Sequence, residues 1–207
     1  MNEKTNIRAV IWDFGGVILR TENQSPRREL AKRLGISTEV LYGAVFNSPS
    51  ALQATLGEIS VQVHWDNVAA ALSLPQTVSP DLMRDFWRGD QMDHDLIAFI
   101  RALRPHFQTA LLSNAWSDAR QWLTEEWHIA DAFDELFISA ELGVKKPDRH
   151  IYEIVTEKLR IEPHQAVLVD DFQENIIAAR DAGWLAVHFS SPRQAKEELG
   201  SLLGGWK

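Results

Sequence analysis

No cysteine occurs among the 207 residues, so disulfide scaffolds and thiolate chemistry are excluded, and the composition suits a reducing cytoplasm. Long apolar runs are missing as well. Met1–Asn6 carries no signal-like segment, and no later stretch approaches membrane length, so a cytoplasmic location without a membrane partner is expected. Internal repeats and low-complexity linkers are absent, and only Gly200–Lys207 reads as loose. Positive charge is in deficit: 21 Lys and Arg against 29 Asp and Glu give a formal charge of −8, which argues against nucleic acid as a partner. A hydrophobic content of 45% is enough for a substantial core.

What is present reads as alternating strands and helices. The apolar runs Ala9–Trp12, Thr109–Leu112, Leu136–Ile138, Ala166–Val169 and Leu185–Phe189 are predicted strands of a mostly parallel sheet covered by helices, an α/β fold. Past Lys146, Pro147 suits a first helical turn, and Ile151, Ile154, Val155 and Leu159 repeat at helical spacing. Between the first two strands the pattern is helical over Arg28–Leu34, Glu39–Phe46 and Val61–Leu72, and Ser79-Pro80 reads as an N-cap with a first-turn proline. This is too long for one crossover helix. It predicts an inserted helical subdomain with hinges near Arg20–Gln24 and Trp87–Asp93.

Four segments carry groups suited to chemistry. Within Ile7–Arg20 an apolar strand ends on Asp13 and, after Phe14, runs into Gly15 and Gly16. A carboxylate there faces the carboxyl edge of a sheet, where α/β enzymes bind ligands, and glycines let backbone approach an anion or metal. Asp13 is the candidate nucleophile; the plainer reading is a turn-capping Asp. Ser113 and Asn114 end another strand, Ser113 offering a donor to a phosphoryl oxygen and Asn114 orienting backbone or ligand, unless they form an ordinary turn. Lys146, directly before Pro147, can reach inward as a compact cation, the plainer reading being an ordinary surface lysine, which is how Lys145 reads. Asp170 and Asp171 follow the apolar Ala166–Val169 and repel one another unless a cation compensates them. Mg²⁺ suits them because it prefers oxygen ligands, while a helix cap beside an exposed acid is the bland alternative.

Taken in order, these segments resemble the motifs of the haloacid dehalogenase-like (HAD) hydrolase superfamily across nearly the whole chain. Asp13–Val17 is similar to its nucleophile motif, Ser113-Asn114 to the second, Lys146-Pro147 to the third, and Asp170-Asp171 with Asn175 and Gly183 to the fourth. The insertion resembles a subfamily I helical cap of the C1 type, and Gly57–Ser60 is similar to a turn common in one branch. The resemblance implies a Rossmannoid parallel sheet core, residues 1–20 and 93–207, with an α-helical cap over 21–92. It also implies Mg²⁺ held by Asp13, the Gly15 carbonyl and Asp171, with Asp170 behind through water. Lys146, Ser113 and Asn114 would bind phosphate.

One departure stands out. Phosphatases of this family usually carry a second Asp two residues after the nucleophile, acting as general acid and then base, and here that position is Gly15. Its carbonyl still offers a metal ligand, but loss of a proton-transfer group typically forfeits ~10²–10⁴ in rate. A similar branch of sugar-phosphate phosphatases also lacks that Asp. Anomeric, acyl and aryl phosphates suffer least, because their leaving groups depart readily. The expected function is Mg²⁺-dependent phosphomonoester hydrolysis through an aspartyl-phosphate on a small phosphorylated metabolite such as a sugar phosphate. The alternatives are a 2-haloacid dehalogenase and a non-catalytic phosphometabolite-binding protein. Arg20 at the hinge, Trp87 in the cap and Trp116 beside the second motif are candidate pocket residues, with Trp65, Phe86 and Arg88 as further candidates. Eight tryptophans leave both a monomer and a homodimer open.

Overall fold

The computed structural model describes residues 6–205; the expectation for Met1–Asn6 therefore lies, apart from Asn6, outside the described residues, as does the end of the Gly200–Lys207 tail. The chain opens with β1 (Ala9–Trp12) and β2 (Leu19–Thr21), then builds α1 (Ser25–Leu34), α2 (Thr38–Phe46), α3 (Pro49–Thr55), α4 (Val61–Ala71) and α5 (Ser79–Trp87). β3 (Asp90–Met92) returns antiparallel to β2. There follow α6 (His94–Leu103), β4 (Gln108–Ser113), α7 (Ala119–Gln121), β5 (Glu135–Ile138), α8 (Ser139–Leu142) and α9 (Arg149–Leu159). The chain closes with β6 (Ala166–Asp170), α10 (Gln173–Asp181), β7 (Leu185–His188) and α11 (Pro192–Leu202), so Gly200 lies in a helix and not in a loose tail.

Five strands form a parallel sheet in the order β5-β4-β1-β6-β7. Both faces of β1 are buried, and its side chains alternate between them. Val10 and Trp12 pack with Leu96, Ile97 and Ile100 of α6 and Leu199 of α11, while Ala9 and Ile11 pack with Ile151, Tyr152 and Val155 of α9. A third cluster, built on Leu30, Leu41, Val45, Trp65, Val68 and Phe86, is the interior of the helical cap. The predicted α/β core with an inserted helical cap is the observed architecture. The chain runs from β1 out to β4 and β5 and returns to β6 on the other side of β1, a switch point whose carboxyl edge is the expected place for a ligand.

Several local expectations are corrected. The two hinge segments hold short strands that pair as a ribbon, with Leu19 opposite Met92 and Thr21 opposite Asp90. Ser79 lies inside α5 behind the cap residue Val78, and its hydroxyl donates to Asp66 at 2.7 Å instead of capping the helix. Pro147 precedes the cap of α9, which is Asp148, and Tyr152 rather than Ile154 fills the buried stripe. The sequence reading passes over α3, although Ser48 caps it and Pro49 opens it.

Candidate active site

Asp13 extends the line of β1, its N–H donating to the Val169 carbonyl of β6 at 2.9 Å. The side chain is buried. Oδ1 accepts from the Phe14 N–H at 2.7 Å and from Lys146 Nζ at 2.8 Å. The same ammonium reaches Asp170 Oδ2 at 2.6 Å, so one cation joins the ends of two adjacent strands. Asp170 is fully buried and already satisfied: Oδ1 accepts from the Phe172 N–H at 2.8 Å, and Asn175 Nδ2 lies 3.0 and 3.1 Å from its two oxygens. Asn114 fixes Lys146 from the other side, donating to its carbonyl at 2.9 Å and accepting from its N–H at 2.8 Å. Lys146 therefore enters the cluster with its main chain clamped. Ser113 is buried at the end of β4.

Electrostatics follow from this burial. Loss of solvent pushes the Asp13 carboxyl up to about 7, against the pull of Lys146 and reinforced by the charge of Asp170. Burial alone would lower the Lys146 ammonium, but the attraction of Asp13 and Asp170 outweighs it and holds the group above the ordinary lysine range. Asp171 is also raised, first by burial and then by Asp170.

Asp171 differs from Asp170 in having an oxygen to spare. Its Oδ1 is buried with no hydrogen-bond partner among the described residues. Asp13, Asp170 and Asp171 each bring a carboxylate oxygen within 4.8 Å of the others. With Lys146 as their one paired cation, the three carboxylates carry a formal excess of two negative charges. A divalent, oxygen-preferring ion fits that charge and that donor set. Asp13 and Asp171 are the side chains available to hold it, since Asp170 already serves Lys146, Phe172 and Asn175.

The two glycines have different jobs. Gly16 has φ +82°, and a β-carbon there would overlap the Asp171 carboxylate. Around Gly15 a β-carbon would meet nothing within 4 Å. Gly16→Ala should therefore destabilise the fold by about 1–3 kcal/mol and weaken the rise in melting temperature on adding Mg²⁺, whereas Gly15→Ala should keep its melting temperature. Thermal unfolding of both variants with and without Mg²⁺ checks this; equal tolerance at the two positions would contradict the packing of Gly16 on Asp171.

The aromatic candidates meet at the seam of cap and core. Trp116 lies 6.1 Å from Trp87 and from Trp65, and 4.6 Å from the buried His64. Close by, Gly57 (φ +74°) sits so tightly against the Ala140 carbonyl that a β-carbon would overlap it. Arg20 is placed elsewhere. Its guanidinium binds Asp93 at 2.8 Å, Glu22 at 2.9 Å and the Val17 carbonyl at 2.6 Å, and it lines a groove with Gln91 and Met92 that none of Asp13, Lys146, Asp170 or Asp171 touches.

Residues 7–183 match the family described as haloacid dehalogenase-like hydrolase. The chain belongs to that family. A sesquiterpene phosphatase of Aspergillus oryzae is 25% identical over 201 residues, covering 97% of this chain and 98% of that protein. Bifunctional epoxide hydrolase 2 of Rattus norvegicus is 25% identical over 96% of this chain, which spans only 39% of that longer protein. Among solved structures, a HAD family enzyme of Bacteroides thetaiotaomicron in complex with magnesium and inorganic phosphate superposes with a TM-score of 0.74 at 20% identity, over 89% of this chain and 94% of its own. No described helix of this HAD hydrolase is long and apolar enough to cross a membrane.

Within the HAD framework, the clamping role of Asn175, which the resemblance placed in the fourth motif, and the burial of Arg27 in the cap emerge only from the packed structure. Asn175 clamps Asp170, and its own carbonyl accepts from the Tyr152 hydroxyl at 3.1 Å, a chain visible only once α9 and α10 are packed. Arg27 joins α1 to the ribbon through a two-point bond to Asp90 at 2.8 Å and stacks over Phe86 at 4.2 Å. An arginine inside an amphipathic helix gives no sequence signal of such burial; the only hint is Asp90 in the opposite hinge.

Proposed function

We propose that the chain is a Mg²⁺-dependent phosphomonoesterase that works through a covalent phosphoryl group on Asp13 and acts on a small organic phosphate. The formal excess of two negative charges on the Asp13–Asp170–Asp171 cluster, with an orphaned Asp171 oxygen, carries this reading, because a metal-free haloacid site would present an acidic cluster to a carboxylate substrate and repel it. When bound, Mg²⁺ supplies charge neutralisation for the phosphoryl group. Asp13 is the attacking carboxylate, and a raised pKa in the absence of metal means that cation binding and ionisation of Asp13 support one another. Lys146 and Ser113 hold phosphoryl oxygens, and Asn114 positions Lys146. The magnesium and phosphate bound by the B. thetaiotaomicron enzyme and the phosphatase activity named for the A. oryzae relative support the same chemistry. Sugar phosphates are one substrate class in keeping with the sequence resemblance.

Phosphate release from acetyl phosphate, followed with Mg²⁺, with EDTA and after Mg²⁺ is restored, tests the proposal. Turnover should fall by at least about 10²-fold in EDTA and return with metal. Metal-independent turnover with halide release from 2-chloropropionate would favour the dehalogenase reading, and tight phosphate binding without turnover the non-catalytic one.

A further inference from the structure

We propose that the leaving group accepted at this site is a phenol, making the substrate an aryl phosphomonoester whose ring stacks on an aromatic wall shared by cap and core. The inference rests on the phosphomonoesterase reading above and narrows it. Two independent observations meet in it.

The wall begins at Trp116, three residues past the Ser113 proposed to hold a phosphoryl oxygen. Trp116 follows Ser113 and Asn114 at the carboxyl end of β4, where the Ala115 N–H donates to Ser139 Oγ at 3.0 Å and the Ala115 carbonyl accepts from the Ala140 N–H at 3.3 Å. From this pinned loop its ring meets Trp87 edge-on at 6.1 Å, and Trp87 meets Phe46 at 5.8 Å. Arg27, anchored by Asp90, lies 5.3 Å from the centre of the Trp87 ring. Rings that serve packing alone are closed off, as Trp65 is at 1% exposure and Phe86 at 0%. Phe46 instead keeps 42% of its surface open, and Trp87 and Trp116 remain partly exposed. A flat apolar ring gains more from such edges and faces than a polyhydroxylated sugar does.

The second observation is chemical. Position 15 carries no proton donor, and the space beside it is empty. As an Asp13 oxygen bonds to phosphorus, the bond from phosphorus to the organic oxygen breaks and the electron pair leaves on that oxygen. A phenolate bears the pair and later takes a proton from water; an alkoxide is far more basic and needs the proton during bond breaking. Water then attacks phosphorus, restoring the Asp13 carboxylate and releasing inorganic phosphate, with the surplus proton passing to solvent. Missing acid and aromatic wall therefore select the same class.

The full chain with Mg²⁺ is assayed on acetyl, phenyl, benzyl and 2-naphthyl phosphate and on glucose 6-phosphate. Phenyl phosphate should exceed benzyl phosphate in kcat by about 10²-fold, and 2-naphthyl phosphate should have the lowest KM of the panel. Phe46→Leu and Trp87→Leu should each raise the ratio of KM for 2-naphthyl phosphate to KM for acetyl phosphate by about tenfold; Phe46 is exposed, so its variant reports even if Trp87→Leu unfolds. Gly15→Asp should narrow the phenyl-to-benzyl gap by about tenfold or more. Turnover of acetyl phosphate combined with equal rates on phenyl, benzyl and glucose 6-phosphate, or with an unmoved KM ratio in the Phe46 variant, overturns the aryl assignment and leaves the phosphatase reading standing. Absence of turnover on the entire panel removes both.

Discussion

Asp13→Asn should lower phosphate release by at least ~10³-fold while the melting temperature stays close to that of the native chain. The amide keeps the volume of the carboxyl and can still accept from the Phe14 N–H and Lys146, the two contacts made by Oδ1. What it loses is nucleophilicity and charge. Because burial and Asp170 already press the Asp13 carboxyl toward neutrality, a neutral side chain relieves that pressure and should not unfold the site. Mg²⁺ should also raise the melting temperature of the variant less than that of the native chain. Activity within about tenfold of native would end the nucleophile assignment.

Lys146→Met has the opposite profile, large in both stability and activity. It deletes the ammonium that pairs Asp13 at 2.8 Å and Asp170 at 2.6 Å and leaves both carboxyls buried. Breaking a buried ion pair from one side costs about 3–5 kcal/mol, which for a chain of this length is roughly 6–20 °C in melting temperature. The sign of its pH dependence follows from the raised pKa of Asp13: a protonated carboxyl no longer needs the cation, so the deficit should be smallest near pH ~5 and grow as pH rises through about 7. Added Mg²⁺ should recover part of the loss, while turnover should stay down by about 10²-fold or more. Lys145→Met should change little. Paired thermal and kinetic measurements on the two lysine variants decide the matter, and a larger loss at Lys145 would show that the other ammonium faces the cluster.

How much of this was open to sequence reading depended on how local each signal is. Parallel strands announce themselves as short apolar runs, so β1, β4, β5, β6 and β7 were legible, as were the carboxylates at strand ends and the lysine before Pro147. β2 and β3 were not. Their three-residue strands are partly exposed and follow no apolar alternation, and what pairs them is a return of the chain across the whole insertion. Asn114 was legible as a polar residue at a strand end, but its partner, the Lys146 main chain, lies 32 residues away. Gly16 was legible as a flexible position. That it makes room for Asp171 requires knowing that β1 and β6 are neighbours. Arg20 shows the converse: its place at a hinge was readable, while the hinge itself takes up its charge through Asp93 and Glu22.

The atoms that hold the charge cluster together come from Asp13, Phe14, Asn114, Lys146, Asp170, Phe172 and Asn175, all outside the stretch from α1 to α5. The inserted helices meet the core at Trp116 and, through Gly57, at Ala140. The charge cluster is thus written on the core alone, whereas the aromatic wall proposed above is divided between insert and core. On that proposed reading, a change at Phe46 or Trp87 alters the insert's share of the wall while every hydrogen bond and ion pair of the charge cluster stays in place.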